Sequence, residues 1–131
     1  MIVKIIIFLL WCVYASIEGV KEAYLYHYRN TSTEKKAYEL HPLFAEQRSC
    51  VLLIITALSV DLWLLFACIF VFSFFHDGFY YVKRNDLNSK TYPKRFFDHS
   101  TTSTAKFEFT LITRYALLVL GLAVLTYDLL K

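Results

Sequence analysis

The sequence predicts an all-α integral membrane bundle of three transmembrane helices, the second of them long. Three observations carry that reading. The chain is too apolar for a soluble domain: 57% of its 131 residues are hydrophobic and 18% aromatic, where about 45–50% apolar is ordinary. The excess is gathered into Ile2–Ile17, Cys50–Phe75 and Phe107–Leu130, and such clustering separates a membrane chain from a greasy globule. The middle block runs 26 residues with one charge, Asp61. As a helix it is about 39 Å long, against a hydrocarbon core of about 30 Å. One membrane domain fills the chain, with no room for a separate soluble one.

The elements follow in order. Helix 1 is expected over about 2–28. Its first half has the plan of a secretory signal, with Lys4 as the charged flank and Val13-Tyr14-Ala15 near a small-residue cleavage pattern. The helical apolar stripe continues through Ile17, Val20, Ala23 and Tyr24, which favours a retained helix. Asn30-Thr31-Ser32-Thr33 has turn chemistry, and the loop is placed at about 29–41. Pro42 suits the first position of a helix, and no Gly or Pro interrupts Leu43–Phe75, so helix 2 is expected over about 42–84, bending or ending from Gly78 onward. Residues 85–103 read as a polar, basic loop, and Ser100–Thr104 supplies N-cap candidates for helix 3 over about 104–130.

Charge and cysteine usage add bounds. The net charge of +3 is modest, and no nucleic-acid partner is expected. Cys12, Cys50 and Cys68 are odd in number, lie in or beside apolar blocks and form no CxxC pair, so they read as reduced packing residues. With three alternating spans the N-terminus shares a side with residues 83–106, giving seven Lys and Arg against six on the other side. The positive-inside rule then favours the N-terminus inside by one charge.

The same topology separates the polar residues into two sets. Glu18, Glu22, Glu46, Arg48 and Asp128 are expected near one membrane face, and His76, Asp77, Lys83, Arg84, Lys106 and Glu108 near the other. Glu18 and Glu22, at i and i+4, share a helix side. A carboxylate pair of that kind can hold a proton or a cation; the plainer reading is neutralisation by Lys21 and by Arg48. His27 and His41 flank the first loop and could complete a divalent metal site with Glu18 and Glu22. No recognised ligand spacing supports one, and no cofactor is expected. His76 beside Asp77 at a boundary suits proton exchange near neutral pH. Arg84, Lys106, Glu108 and Arg114 could grip an anionic headgroup or pair structurally, Arg114 with Glu108 or Asp77. Asp61, alone at depth, is a functional candidate by default: protonated, paired with Arg114, or facing a pore or an oligomer seam.

Phe74-Phe75-His76-Asp77-Gly78-Phe79-Tyr80-Tyr81, with Arg84-Asn85, Tyr92-Pro93-Lys94 and Ser100–Thr104, resembles uncharacterised small membrane proteins of Bacteroidetes and their phages. The likeness covers about the C-terminal half and extends in outline to Glu22-Ala23-Tyr24 and His41-Pro42-Leu43-Phe44. It implies a multi-pass protein of a bacterial or phage-encoded inner membrane, and no activity comes with it. Two function classes stay open. One is an oligomerising or accessory protein, holin-like or a complex subunit, with Asp61 and Arg114 as contacts between helices. The other is a small membrane enzyme or ion-coupled carrier using Glu18, Glu22, Asp61, His76, Asp77 and Arg114. Abundant aromatics, and Gly121 as the lone glycine of the third span, argue against tight GxxxG packing.

Overall fold

A computed structural model describes residues 1–31, 41–59, 61–90 and 109–131. They form four helices: α1 Ile2–Thr31, α2 His41–Ser59, α3 Leu62–Leu87 and α4 Leu111–Leu130. No strand occurs among the described residues. Three helices, α1 through Tyr28, α3 and α4, are long and apolar enough to cross a membrane. The chain is an all-α integral membrane bundle.

The expected long second helix is divided in two. Asp61 adopts an extended backbone (φ −129°, ψ 105°) and caps α3, its Oδ1 accepting from the backbone N–H of Trp63 at 2.9 Å and Leu64 at 3.2 Å. A carboxylate satisfies two otherwise unpaired helix-end donors in this way. The apolar run hid the break, because Asp61 was read as a charge to be buried and not as a cap. The span shifts to Leu62–Leu87, and α3 continues through Gly78 to Leu87, where the Asn88 N–H donates to Arg84 O at 3.0 Å. α1 runs to Thr31. Thr110 caps α4 by accepting from Thr113 N, so that helix starts at Leu111. The cap candidates Ser100–Thr104 lie outside the described residues.

α3 is the central helix. α1 packs parallel to it: Lys4 meets Asp61, the Trp11 indole donates to Cys68 O at 2.7 Å, and Lys83 lies over Tyr24 at 4.6 Å. α4 packs antiparallel, with Tyr127 against Trp63 (4.9 Å between rings), Tyr115 against Phe74 (5.4 Å) and Arg114 beside Asp77. The parallel pair requires the chain to return between α1 and α3, and α2 makes that return. Its first turns lie against the second half of α1, where Gln47 Nε2 donates to Tyr14 OH at 3.2 Å and Arg48 Nε to Glu18 Oε1 at 3.0 Å; its end leads to Asp61 beside Lys4. Simple alternation of three spans therefore does not hold. Residues 4, 61 and 128 share one end, and residues 24 and 83 the other.

One stripe of α1 is buried throughout, at Phe8, Trp11, Cys12, Ala15, Glu18, Gly19, Glu22 and Ala23. This is the 3.6-residue periodicity of an inward face. Its apolar half joins Leu64, Ala67, Cys68, Val71 and Leu125 in the core. Gly19 is obligatory there, because a Cβ would fall 2.1 Å from the His76 carbonyl oxygen. With Ala15 and Ala23 it forms a row of small residues at every fourth position, the pattern that lets membrane helices approach closely. Gly121 does the same between α4 and α3, where a Cβ would meet Val71 Cγ1 at 2.6 Å. The expectation against small-residue packing is overturned, since the decisive glycine sits on α1 and not on the third span. Cys12, Cys50 and Cys68 are free thiols.

Candidate functional site

The inward stripe of α1 changes character at Glu18. Beyond the apolar core the same face carries two acids, and the neighbouring helices meet them with charge. Arg48 of α2 donates from Nε to Glu18 Oε1 and from Nη2 to Glu22 Oε2, each at 3.0 Å. His76 of α3 places Nε2 2.9 Å from Glu22 Oε2 and Nδ1 2.8 Å from Asp77 Oδ1. Arg114 of α4 sets its Nε 3.2 Å from Asp77 Oδ2. Every helix contributes, and the acids of α1 are buried, with 2% of Glu18 and 5% of Glu22 exposed. Aromatic faces close the site: the His76 ring stacks on Phe72 (4.9 Å, 19°) and Tyr80 (6.4 Å, 7°), and the Arg48 guanidinium lies 4.8 Å from the Phe72 ring centre.

The hydrogen bonds leave one proton with two homes. Asp77 offers only an acceptor to Nδ1, so Nδ1 carries a hydrogen. Nε2 then faces both Glu22 Oε2 and Arg48 Nη2, the latter at 3.0 Å. With Nε2 bare, it accepts from Arg48. With a proton on Nε2 or on Glu22, the 2.9 Å contact becomes a hydrogen bond, and the Arg48 N–H facing Nε2 is left without an acceptor there. Charge favours the second state. Glu18, Glu22 and Asp77 bring three negative charges against two from Arg48 and Arg114, and one added proton makes the buried group neutral. Glu18 Oε2 accepts no hydrogen bond among the described residues.

The expected two-face separation is thereby overturned. Glu18 and Glu22 join His76, Asp77 and Arg114 because α2 carries the chain back and lets α1 run parallel to α3. Asp61 is the candidate that stands apart, at the opposite end, bridged by Lys4 to Asp128, which lies 2.8 Å from Lys4 Nζ. Burial pushes the Asp61 carboxyl up, but the Lys4 ammonium and the N–H groups of Leu64 and Trp63 outweigh it and hold the group below its ordinary value. Asp61 therefore does not pair with Arg114. Of the two partners expected for Arg114, Asp77 is the one beside it, and of the two cations expected for the glutamates, Arg48 meets both.

Of the suggested metal ligands, Glu18 and Glu22 face Arg48 and His76, and His27 packs edge-on to Tyr28 at 5.7 Å. The His41 side chain, like Lys106 and Glu108, lies outside the described residues. The described residues contain no group of three His, Cys, Asp or Glu side chains arranged for a metal. Arg84 is buried, its guanidinium over the rings of Tyr80 (5.1 Å) and Tyr81 (5.7 Å). Sequence reasoning saw Arg48 only as a neutraliser and Lys4 only as a flank. The signal for Arg48 was available, as an arginine just ahead of a long apolar run. No local signal ties Lys4 to Asp128, 124 positions away.

No family model matches the chain, and neither a curated protein nor a solved structure does. Function is therefore argued from the site.

Proposed function

We propose that this small multi-pass membrane protein handles protons, as an ion-coupled carrier or as the proton-exchanging subunit of a membrane complex. The working group is His76 with Glu22. The observation that carries the reading is the triangle of Glu22 Oε2, His76 Nε2 and Arg48 Nη2, with sides of 2.9, 3.0 and 3.0 Å. Its two hydrogen-bonding patterns differ by one proton. Ionisable side chains within membrane helices are costly, and they characteristically mark proton and ion pathways. Loss of the proton frees Arg48 to bond Nε2 in place of the Glu22 contact, so protonation is coupled to how α2 is held against α1 and α3.

The accessory reading, holin-like or otherwise oligomerising, takes Asp61 and Arg114 as contacts between helices, and within this bundle they meet Lys4 and Asp77; the buried proton site favours the first reading. For orientation, Lys83, Arg84 and Lys90 outnumber Lys4 and Lys131 at the opposite end. We place the Lys83 end inside and the N-terminus outside by the positive-inside rule, reversing the assignment that three alternating spans gave. A bacterial or phage inner membrane is the setting the sequence resemblance supports.

The test is proton exchange by the full chain reconstituted in vesicles under an imposed pH gradient. Wild type is expected to dissipate the gradient faster than protein-free vesicles, and H76N and E22Q to abolish the difference. ¹⁵N spectra of the imidazole should show Nδ1 protonated throughout and Nε2 changing state. Vesicles as tight as protein-free ones, with Nε2 unchanged between about pH 4 and 9, bracketing the ordinary histidine range, sink the proposal.

A further inference from the structure

At the outer edge of the imidazole network, two buried arginines lie close together. Arg114 sits in the first turns of α4 and is 1% exposed, yet its Nε and Nη1 donate to no acceptor among the described residues. Asp77 Oδ2 lies 3.2 Å from Nε without making a hydrogen bond, and the other oxygen of Asp77 is held by His76. Buried guanidinium donors left open are costly and call for an acceptor. The Arg114 guanidinium lies over the Tyr81 ring at 5.1 Å, and that of Arg84 lies over the same ring at 5.7 Å. Two buried cations thus meet at one aromatic side chain. No acid occupies the first turn of α4, so the positive end of that helix adds to them.

Depth identifies what they face. Along α3, Asp77 lies about 24 Å and Arg84 about 34 Å from Asp61 at 1.5 Å per residue. With Asp61 and Lys4 at one boundary of a core about 30 Å thick, Tyr81 and the two arginines bracket the other. Tyrosines favour that level, and planar guanidinium groups match phosphate oxygens in pairs. For Arg84 alone, a place in the last turn of α3 also suits the negative helix end. The open donors of Arg114 have no such account.

We infer that Arg84 and Arg114, set around Tyr81, bind the phosphate of an anionic phospholipid headgroup. Arg114 also enters the charge of the proton site through Asp77, but the assignment rests on its open donors, and lipid retention reads it without proton exchange. It is tested on the full chain in phosphatidylcholine nanodiscs with increasing phosphatidylglycerol, reading the thermal midpoint and the lipid retained in native mass spectra. The midpoint is expected to rise with phosphatidylglycerol in wild type and in K131Q, a cation lost from the opposite end. In R114Q the apparent affinity should fall about 10-fold or more, the worth of a charge-assisted contact. R84Q and R114K supply the same comparison should R114Q fail to fold, and R114K should recover only part of the affinity. If inorganic phosphate alone reproduces the shift, the lipid assignment is overturned in favour of free phosphate. Equal response of wild type, R84Q and R114K overturns the site itself.

Discussion

At one end of the bundle Lys4 bridges Asp61 and Asp128; about 24 Å along, by helix rise, Arg48 bridges Glu18 and Glu22 beside His76. Both clusters tie α1 to other helices through one cation and two acids. They differ in what is left over. The Lys4 side chain is 30% exposed, Asp61 doubles as a helix cap, and Lys131, 3.0 Å from Asp128 Oδ1, adds a second cation, so the charges need no further proton. Around Arg48 the acids Glu18, Glu22 and Asp77 outnumber Arg48 and Arg114, and a proton between His76 and Glu22 has two homes. The first cluster is a fastener at the edge of solvent. The second has a cation of similar exposure, 26%, but its buried glutamates leave it one proton short of neutral, the condition in which ionisable groups do work.

The comparison can be broken most forcefully at Arg48. R48A leaves Glu18 and Glu22 as uncompensated buried acids, and about 3–5 kcal/mol of stability should be lost, read by denaturant unfolding in detergent. Restoring neutrality with E18Q and E22Q in that background should recover part of it. A loss below about 1 kcal/mol, the level of an exposed pair, would show that both clusters are equally solvated.

Next in size is the helix approach that brings the second cluster together. G19A sets a methyl group 2.1 Å from a backbone oxygen, which has no rotamer to move. A loss of about 1–3 kcal/mol is expected, together with a changed ¹⁵N signal of His76. G121A meets Val71 Cγ1 at 2.6 Å and the Ala67 carbonyl oxygen at 3.1 Å, a looser fit than the backbone contact at Gly19. It should cost less and leave His76 unperturbed; identical effects would contradict the role given to Gly19.

The fastener should respond more weakly. D61A removes both cap and ion pair and should cost about 1–2 kcal/mol, whereas D61N keeps a capping oxygen and should cost less than about 1 kcal/mol. The pH dependence has a definite sign. The Asp61 carboxyl is held below its unfolded value, so its contribution is whole above about pH 4 and is lost as pH falls through the lower native value. Wild type and D61N should therefore converge in stability in strong acid and diverge above about pH 5. A gap that widens in acid would overturn the pairing with Lys4.

Much of this was legible in the chain. The membrane class, the three apolar blocks and the shared side of Glu18 and Glu22 all follow from composition and helical spacing. Those properties are local, and local periodicity reports them. The row Ala15, Gly19, Ala23 is equally legible, at a spacing of four on the first helix. The cap at Asp61 was misread because a carboxylate in an apolar run has two solutions, burial with a counter-ion or a helix start. Sequence alone does not rank them.

What the sequence determined by itself, then, is that this chain inserts as apolar helices and carries acids and a histidine that a membrane will not tolerate unpaired. Which of them meet was decided by the tertiary structure alone. One broken helix at Asp61 lets α2 return, turns α1 and α3 parallel, and moves Glu22 from the opposite face to 2.9 Å from His76. The physical reason is that charge pairing inside a bundle depends on helix direction. A chain's direction reverses at a single residue, while every composition window around it stays the same.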